Sequence, residues 1–183
     1  EAFILSNIPW YIILGLSTGL VSLYFSRMTL FLEHSYELIR NEYIRLGIGG
    51  LILGILVYLF PPFFGEGYDF ILSLLHGETT DLLTGSIFAG SEGSWMAGIA
   101  FMACMLLLKV IATSSTNGAG GVGGIFAPTL FLGGINGYLV ASILNRVTNI
   151  NLPDNRFVLV GMAGMMAGVM HAPLTAIFLI AEI

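Results

Sequence analysis

Gly118-Ala-Gly-Gly-Val-Gly-Gly-Ile-Phe-Ala-Pro128 separates two long apolar runs and carries no charge. The stretch reads as the end of one membrane-buried helix, a bare and flexible backbone, and a new helix starting at a proline. A helix N-terminus presents unpaired N–H groups and the positive end of the helix dipole. An opened backbone that leads into one is among the few ways to hold an anion inside a bilayer. Broken helices at membrane depth are tolerated only where protein or a watery cavity covers them. The stretch therefore points to an ion or solute site rather than to a catalytic one.

The rest of the chain fits a membrane setting. Hydrophobic residues make up 56% of the 183 positions and charged residues only 9%, against about 25% in a soluble domain. Mean hydropathy is +0.92. The net charge of −5 argues against a nucleic-acid partner. Cys104 is the single cysteine, so it forms no intrachain disulfide. The start, Glu1-Ala-Phe-Ile-Leu5, lacks the basic region of a signal peptide.

Working outward, the hydropathy pattern predicts helices over Trp10–Leu32, Leu46–Phe60, Trp95–Ala112, Thr129–Leu144, Phe157–Met170 and Leu174–Ile183. Several fall short of the ~20 residues needed to cross a bilayer, as in transporters with re-entrant helices. Helix breaks are expected near 61–66, 113–127 and 171–173. Residues 61–95 form a polar insert holding a short amphipathic helix, Tyr68–Leu75, on a membrane face. Gly15, Gly19, Gly47, Gly50, Gly54, Gly161, Gly164 and Gly168 read as small residues for close helix packing. The fold class is all-α: a multi-span membrane protein with broken and re-entrant helices.

Arg27, Arg40 and Arg45 flank the first connector, 35–45, whereas the insert has acidic residues and no Lys or Arg. The positive-inside rule puts that connector in the cytoplasm and the insert outside. Arg146 and Arg156, in a later loop, leave their own side open.

Gly123-Gly-Ile-Phe-Ala-Pro128 resembles the G-x-F-x-P motif of the CLC chloride channel and chloride/proton antiporter family. Leu106-Leu-Leu-Lys-Val-Ile-Ala-Thr113 before it and Thr129-Leu-Phe-Leu-Gly-Gly134 after it are similar to that family, as is the segment Gly161–Glu182 with its Ala-Pro-Leu-Thr run. From 1 to 105 the likeness is softer but collinear, and Gly65-Glu-Gly-Tyr68 resembles the family's turn before a short helix. The resemblance implies a partial CLC-type transmembrane domain over 1–183, corresponding to helices J to P of the second inverted half. The family's G-S-G-I-P and G-[KR]-E-G-P motifs do not occur in this sequence. The gating glutamate, the proton-relay glutamate and the pore tyrosine are expected elsewhere in a longer polypeptide, so channel and antiporter are not distinguished.

The same resemblance implies chloride transport by a homodimer, with the rest of the polypeptide and the lipid bilayer as partners. The setting would be a bacterial inner (plasma) membrane, with no cofactor besides the chloride ion carried. In the family, the amides of the two residues after the motif glycine contact the central anion; here those are Ile125 and Phe126. The candidate anion site is thus Gly124, Ile125, Phe126, Ala127 and Pro128. The residues agree on their own terms. Pro128 suits a first helical turn, and Gly120, Gly121, Gly123 and Gly124 allow close approach or positive φ. A halide that must leave again needs only weak donors, and a fixed Lys or Arg would hold it more tightly. The dimer contact implied by the family falls on the last helix, with Ile177 and Ile180 outward.

Other residues carry less. Lys109, on an apolar helix, is read as snorkelling or paired. Ser114, Ser115 and Thr116 back-bond to the preceding turn or line a vestibule. His171 marks a helix boundary, Glu182 takes a structural hydrogen bond, and His34 and His76 lack metal-ligand partners. No nucleophile with a partner base and no P-loop occurs, so an enzyme is not expected. The competing reading is a non-conducting membrane-embedded interaction or scaffold module.

Overall fold

The computed structural model describes residues 7–65, 67–76, 95–148 and 150–182. Among these residues there is no β-strand. The elements are α1 (Ile8–Glu37), α2 (Glu42–Leu59), a 3-10 turn (Pro61–Phe63), α3 (Tyr68–His76), α4 (Trp95–Gly118), α5 (Phe126–Thr148), α6 (Asp154–Met170) and α7 (Pro173–Ala181). Four of them, α1, α2, α4 and α5, are long and apolar enough to cross a membrane. The 17-residue α6 and 9-residue α7 are shorter than a span.

Several helices outrun their expected ends because polar side chains near those ends are satisfied locally. Ser35 Oγ donates to the Phe31 carbonyl at 2.7 Å, so α1 continues to Glu37. The connector shrinks to 38–41, and the Asn41 side chain caps α2 by accepting from the Tyr43 and Ile44 amides. Ser114 Oγ and Thr116 Oγ1 donate to the carbonyls of Val110 and Ala112 four residues back, which keeps both inside α4. The break expected over 113–127 is therefore confined to 119–125.

That break opens on a Schellman motif. Gly120 has φ +101°, its N–H reaches the Asn117 carbonyl, and the Gly121 N–H reaches Thr116 at 2.9 Å. The break near 61–66 is built from Pro61-Pro62 and from Gly65 and Gly67, both at positive φ. At 171–173, His171 adopts the left-handed conformation that ends α6, and Pro173 starts α7.

The tightest pair is α5 against α6, where Gly161, expected as a packing residue, meets Gly133 and Gly137 of α5, which were not. A Cβ on Gly137 would strike the Phe157 carbonyl, and one on Gly161 the Gly133 carbonyl. Gly164 and Gly168 meet Thr18 and Ser22 of α1. Phe25, Phe101, Met105, Phe131, Ile135 and Met165 form the centre of the core. Phe70, Ile71 and Leu74 pin the short α3 to it. The expectation for Gly15, Gly19, Gly47, Gly50 and Gly54 fails within the described residues: a Cβ on any of them meets nothing within 4 Å. These glycines lie on outward faces of α1 and α2; α2 rests on the core through Leu56 and the side chains beside it, and Gly49 lets it approach Ala119 at the end of α4.

The side of Arg146 and Arg156 is now assigned. Trp95 Nε1, at the start of α4, donates to Ser142 Oγ at 3.0 Å, and Arg146 lies 5.9 Å from the Trp95 ring. Tyr11 stacks on Phe157 at 4.8 Å. The end of α5 and the starts of α1, α4 and α6 therefore share one end of the bundle, the end reached by the insert. The 77–94 part of the insert lies outside the described residues.

Candidate functional site: a cavity at the start of α5

The Thr129 N–H bonds to the Ile125 carbonyl at 3.1 Å, making Ile125 the N-cap of α5. An isoleucine side chain cannot accept a hydrogen bond, so the usual Ser, Asp or Asn cap is missing. Pro128, third in the helix, has no N–H to satisfy. Among the described residues, no backbone carbonyl takes the N–H groups of Ile125, Phe126 or Ala127. The sequence thus leaves a short row of bare donors at a positive helix end.

These donors border a cavity of about 460 Å³. Gly124, Phe126, Ala127 and Pro128 line it; the Ile125 side chain does not. Opposite stand Lys109, Thr113, Thr116 and Asn117, one face of α4. Phe63 and Gly65 from the segment after α2, and Tyr68 at the start of α3, complete the lining.

Lys109 does not snorkel away. It is 5% exposed, with Nζ 4.8 Å from the Phe131 ring centroid and 5.4 Å from that of Phe63, and it donates to the Gly65 carbonyl at 3.4 Å. A fixed cation therefore belongs to the cavity wall, where the sequence reading wanted none. Cation–π contact and a carbonyl spread its charge, which weakens its grip on any one ligand. The signal for the α4 face was available: positions 109, 113, 116 and 117 follow helical spacing. Thr116 both back-bonds and lines the cavity, while Ser114 and Ser115 are buried away from it. Asn117 Oδ1 is buried without a hydrogen-bond partner.

The glycines divide their labour differently than expected. Only Gly120 of the run has positive φ. A Cβ on Gly121 would sit 2.8 Å from the Thr116 carbonyl, and one on Gly123 would sit 2.5 Å from Asn117 Oδ1. Gly124 shows neither positive φ nor crowding; its nearest neighbour, the Phe126 amide nitrogen, is 4.0 Å away. Its bareness keeps the space before the amides open rather than relieving strain.

The family model described as "Voltage gated chloride channel" covers residues 1–183. The chain belongs to the CLC family. It is 30% identical over 190 residues to chloride channel protein CLC-f of Arabidopsis thaliana, a match covering 97% of this chain and 23% of that protein. It is also 30% identical over 143 residues to the voltage-gated ClC-type chloride channel ClcB of Salmonella typhi, covering 75% of this chain and 29% of ClcB. Chloride channel protein CLC-e of Arabidopsis thaliana is 28% identical over 197 residues. The chain spans roughly a quarter of the length of these CLC relatives. It is an integral membrane protein of the CLC family.

Proposed function

We propose that this segment forms the second-half wall of a chloride pathway, corresponding to CLC helices J to P. The anion would rest on the amides of Ile125, Phe126 and Ala127, before Gly124 and beside Pro128, and would complete its coordination with the rest of the polypeptide. The observation that carries this reading is the uncapped start of α5 facing a cavity whose far wall holds a buried lysine. Bare amides give diffuse donors that an ion can leave. Lys109 adds positive potential without direct coordination. The names of the relatives CLC-f and ClcB, both chloride channels, support chloride as the anion.

The test is chloride titration calorimetry on the full-length protein. Ile125→Ala removes no donor and is expected to leave affinity within about threefold, ~0.7 kcal/mol. Gly124→Val fills the space before the amides and is expected to lower affinity by about tenfold or more, ~1.4 kcal/mol. Both variants should elute as folded protein. An equal or larger loss from Ile125→Ala would reject the amide cradle.

A further inference from the structure

Four polar residues of α4 line the α5 cavity: Lys109, Thr113, Thr116 and Asn117. Two of them spend their donors inside the protein. Thr116 Oγ1 donates to the Ala112 carbonyl, and its methyl group lies beside Gly121. Lys109 is held by the Gly65 carbonyl and by the rings of Phe63 and Phe131.

Thr113 and Asn117 differ. A helical threonine or serine commonly bonds the carbonyl one turn back, as Ser114 and Thr116 do here. Thr113 is only 8% exposed, yet its hydroxyl makes no hydrogen bond among the described residues. Nor is that hydroxyl sealed into the packing, as Ser115 Oγ is. The little surface Thr113 keeps therefore includes its hydroxyl, and Thr113 lines the cavity. In Asn117 the buried atom is Oδ1, which lies against Gly123: a Cβ there would sit 2.5 Å from it. Nδ2 is the accessible end of the carboxamide, and it too has no partner among the described residues.

Residues four apart are neighbours on one helix face, with Cβ atoms about 5–6 Å apart. Across the cavity stand the bare amides of Ile125, Phe126 and Ala127. Donors thus occupy both walls, while the acceptor of Asn117 is turned into the protein. A hydroxyl rotates to donate, so Thr113 presents no fixed acceptor either. Unmade donors in a buried space are costly, and a ligand that only accepts relieves all of them.

We propose that Thr113 Oγ1 and Asn117 Nδ2 are side-chain donors to the anion in this cavity and set its preference among anions. The pair presupposes the amide cradle proposed above and extends it to the opposite wall. Added donors favour a small, charge-dense halide over a large, diffuse one, so chloride gains more from them than iodide does.

The experiment is calorimetry of chloride and iodide binding to the full-length protein. Thr113→Val keeps the shape and removes the hydroxyl; it should lower chloride affinity about fivefold, the usual size for one hydrogen bond, and reduce the preference over iodide. Thr113→Ser should restore both. Asn117→Asp replaces the donor with a carboxylate oxygen and should lower chloride affinity about tenfold or more through like-charge repulsion. Ser115→Ala, which removes a hydroxyl outside the cavity, should bind as the wild type does. Should one substitution at 113 or 117 cost the fold, the other carries the test. Wild-type affinity and preference in Thr113→Val and Asn117→Asp, with Gly124→Val still weakening binding, would overturn the donor pair and leave the amide cradle standing. Undiminished binding by Gly124→Val would remove the cradle and the pair with it. An equal loss in Ser115→Ala or in Thr113→Ser would trace the effect to helix packing, and would equally overturn the pair.

Discussion

At the residue scale, the glycine run shows how unevenly a motif spends its conformational freedom. Gly120 sits at the left-handed position of the Schellman motif, where a side chain costs roughly 1–2 kcal/mol. Gly124 has an ordinary backbone and open space. Gly120→Ala should therefore lower the thermal midpoint of the full-length protein, while Gly124→Ala should stay within ~0.5 kcal/mol of wild type. Similar losses from both would contradict this assignment. Asp154 offers a pH test. Burial pushes its carboxyl above the ordinary 3.8, and the hydrogen bond from the Asn145 amide pulls it back in part. With the folded value raised, protonation favours the fold: its contribution is complete below the unfolded value and is lost as pH rises through the folded value. Asp154→Asn keeps the oxygen that accepts from Asn145. It should raise the melting temperature relative to wild type at pH 7, and the gap should close toward pH 4. A gap independent of pH would show that ionisation of Asp154 does not matter to stability.

At the element scale, the closest approach is the crossing of α5 and α6. Gly133, Gly137 and Gly161 let the two backbones touch, and a single methyl at Gly137 would drive into the Phe157 carbonyl. Gly137→Val should destabilise by about 1–3 kcal/mol or more, because backbone cannot yield as a flexible side chain does. A melt of the detergent-solubilised protein reads this directly. Most elements were legible in the sequence. The hydropathy runs and the prolines at 61, 62, 128 and 173 put every helix in its place. Helix ends were less legible, since Ser35, Ser114 and Thr116 look like breakers until their hydroxyls find a carbonyl one turn back. The α5 start could be read as a site because the glycines and Pro128 are local signals. Its far wall was legible only as a stripe: helical spacing puts Lys109, Thr113, Thr116 and Asn117 on one face of α4, but that the Schellman turn brings this face against the start of α5 is a tertiary event. Which glycines pack was likewise beyond the sequence, because spacing alone treats Gly50 and Gly161 alike.

At the scale of the whole molecule, the bundle is finished on one side and open on the other. Beneath α5 and α6 the glycines are in contact. Along α1 and α2, Gly15, Gly19, Gly47, Gly50 and Gly54 face no described atom. On α7 the outward residues are Leu174, Ile177 and Phe178, while Ile180 packs on the core, which corrects the expectation for that position. For the dimer contact implied by the CLC resemblance, Ile177→Trp and Phe178→Trp should therefore weaken association of the full-length protein in gel filtration, and Ile180→Trp should act through stability instead. Unchanged association in the first two would remove α7 from the interface.

The open glycine faces also bear on whether this segment works alone. Lipid tails press on a helix without demanding small residues, whereas a neighbouring helix that approaches closely does. Gly47, Gly50 and Gly54 recur along α2 at intervals of three and four, beside the shallow groove formed with Leu51 and Tyr58. If the remaining half of the polypeptide packs there, Gly50→Leu will clash in the full-length protein, although no described residue opposes it. The expected loss is about 1–3 kcal/mol, the usual size for overpacking, read as a lowered melting temperature. The same reasoning predicts that purified residues 1–183 in liposomes sustain no chloride flux, because the cavity at α5 keeps one side without a wall. A Gly50→Leu variant as stable as wild type would assign the α2 face to lipid, and selective flux through the segment alone would show the pathway to be already closed within it.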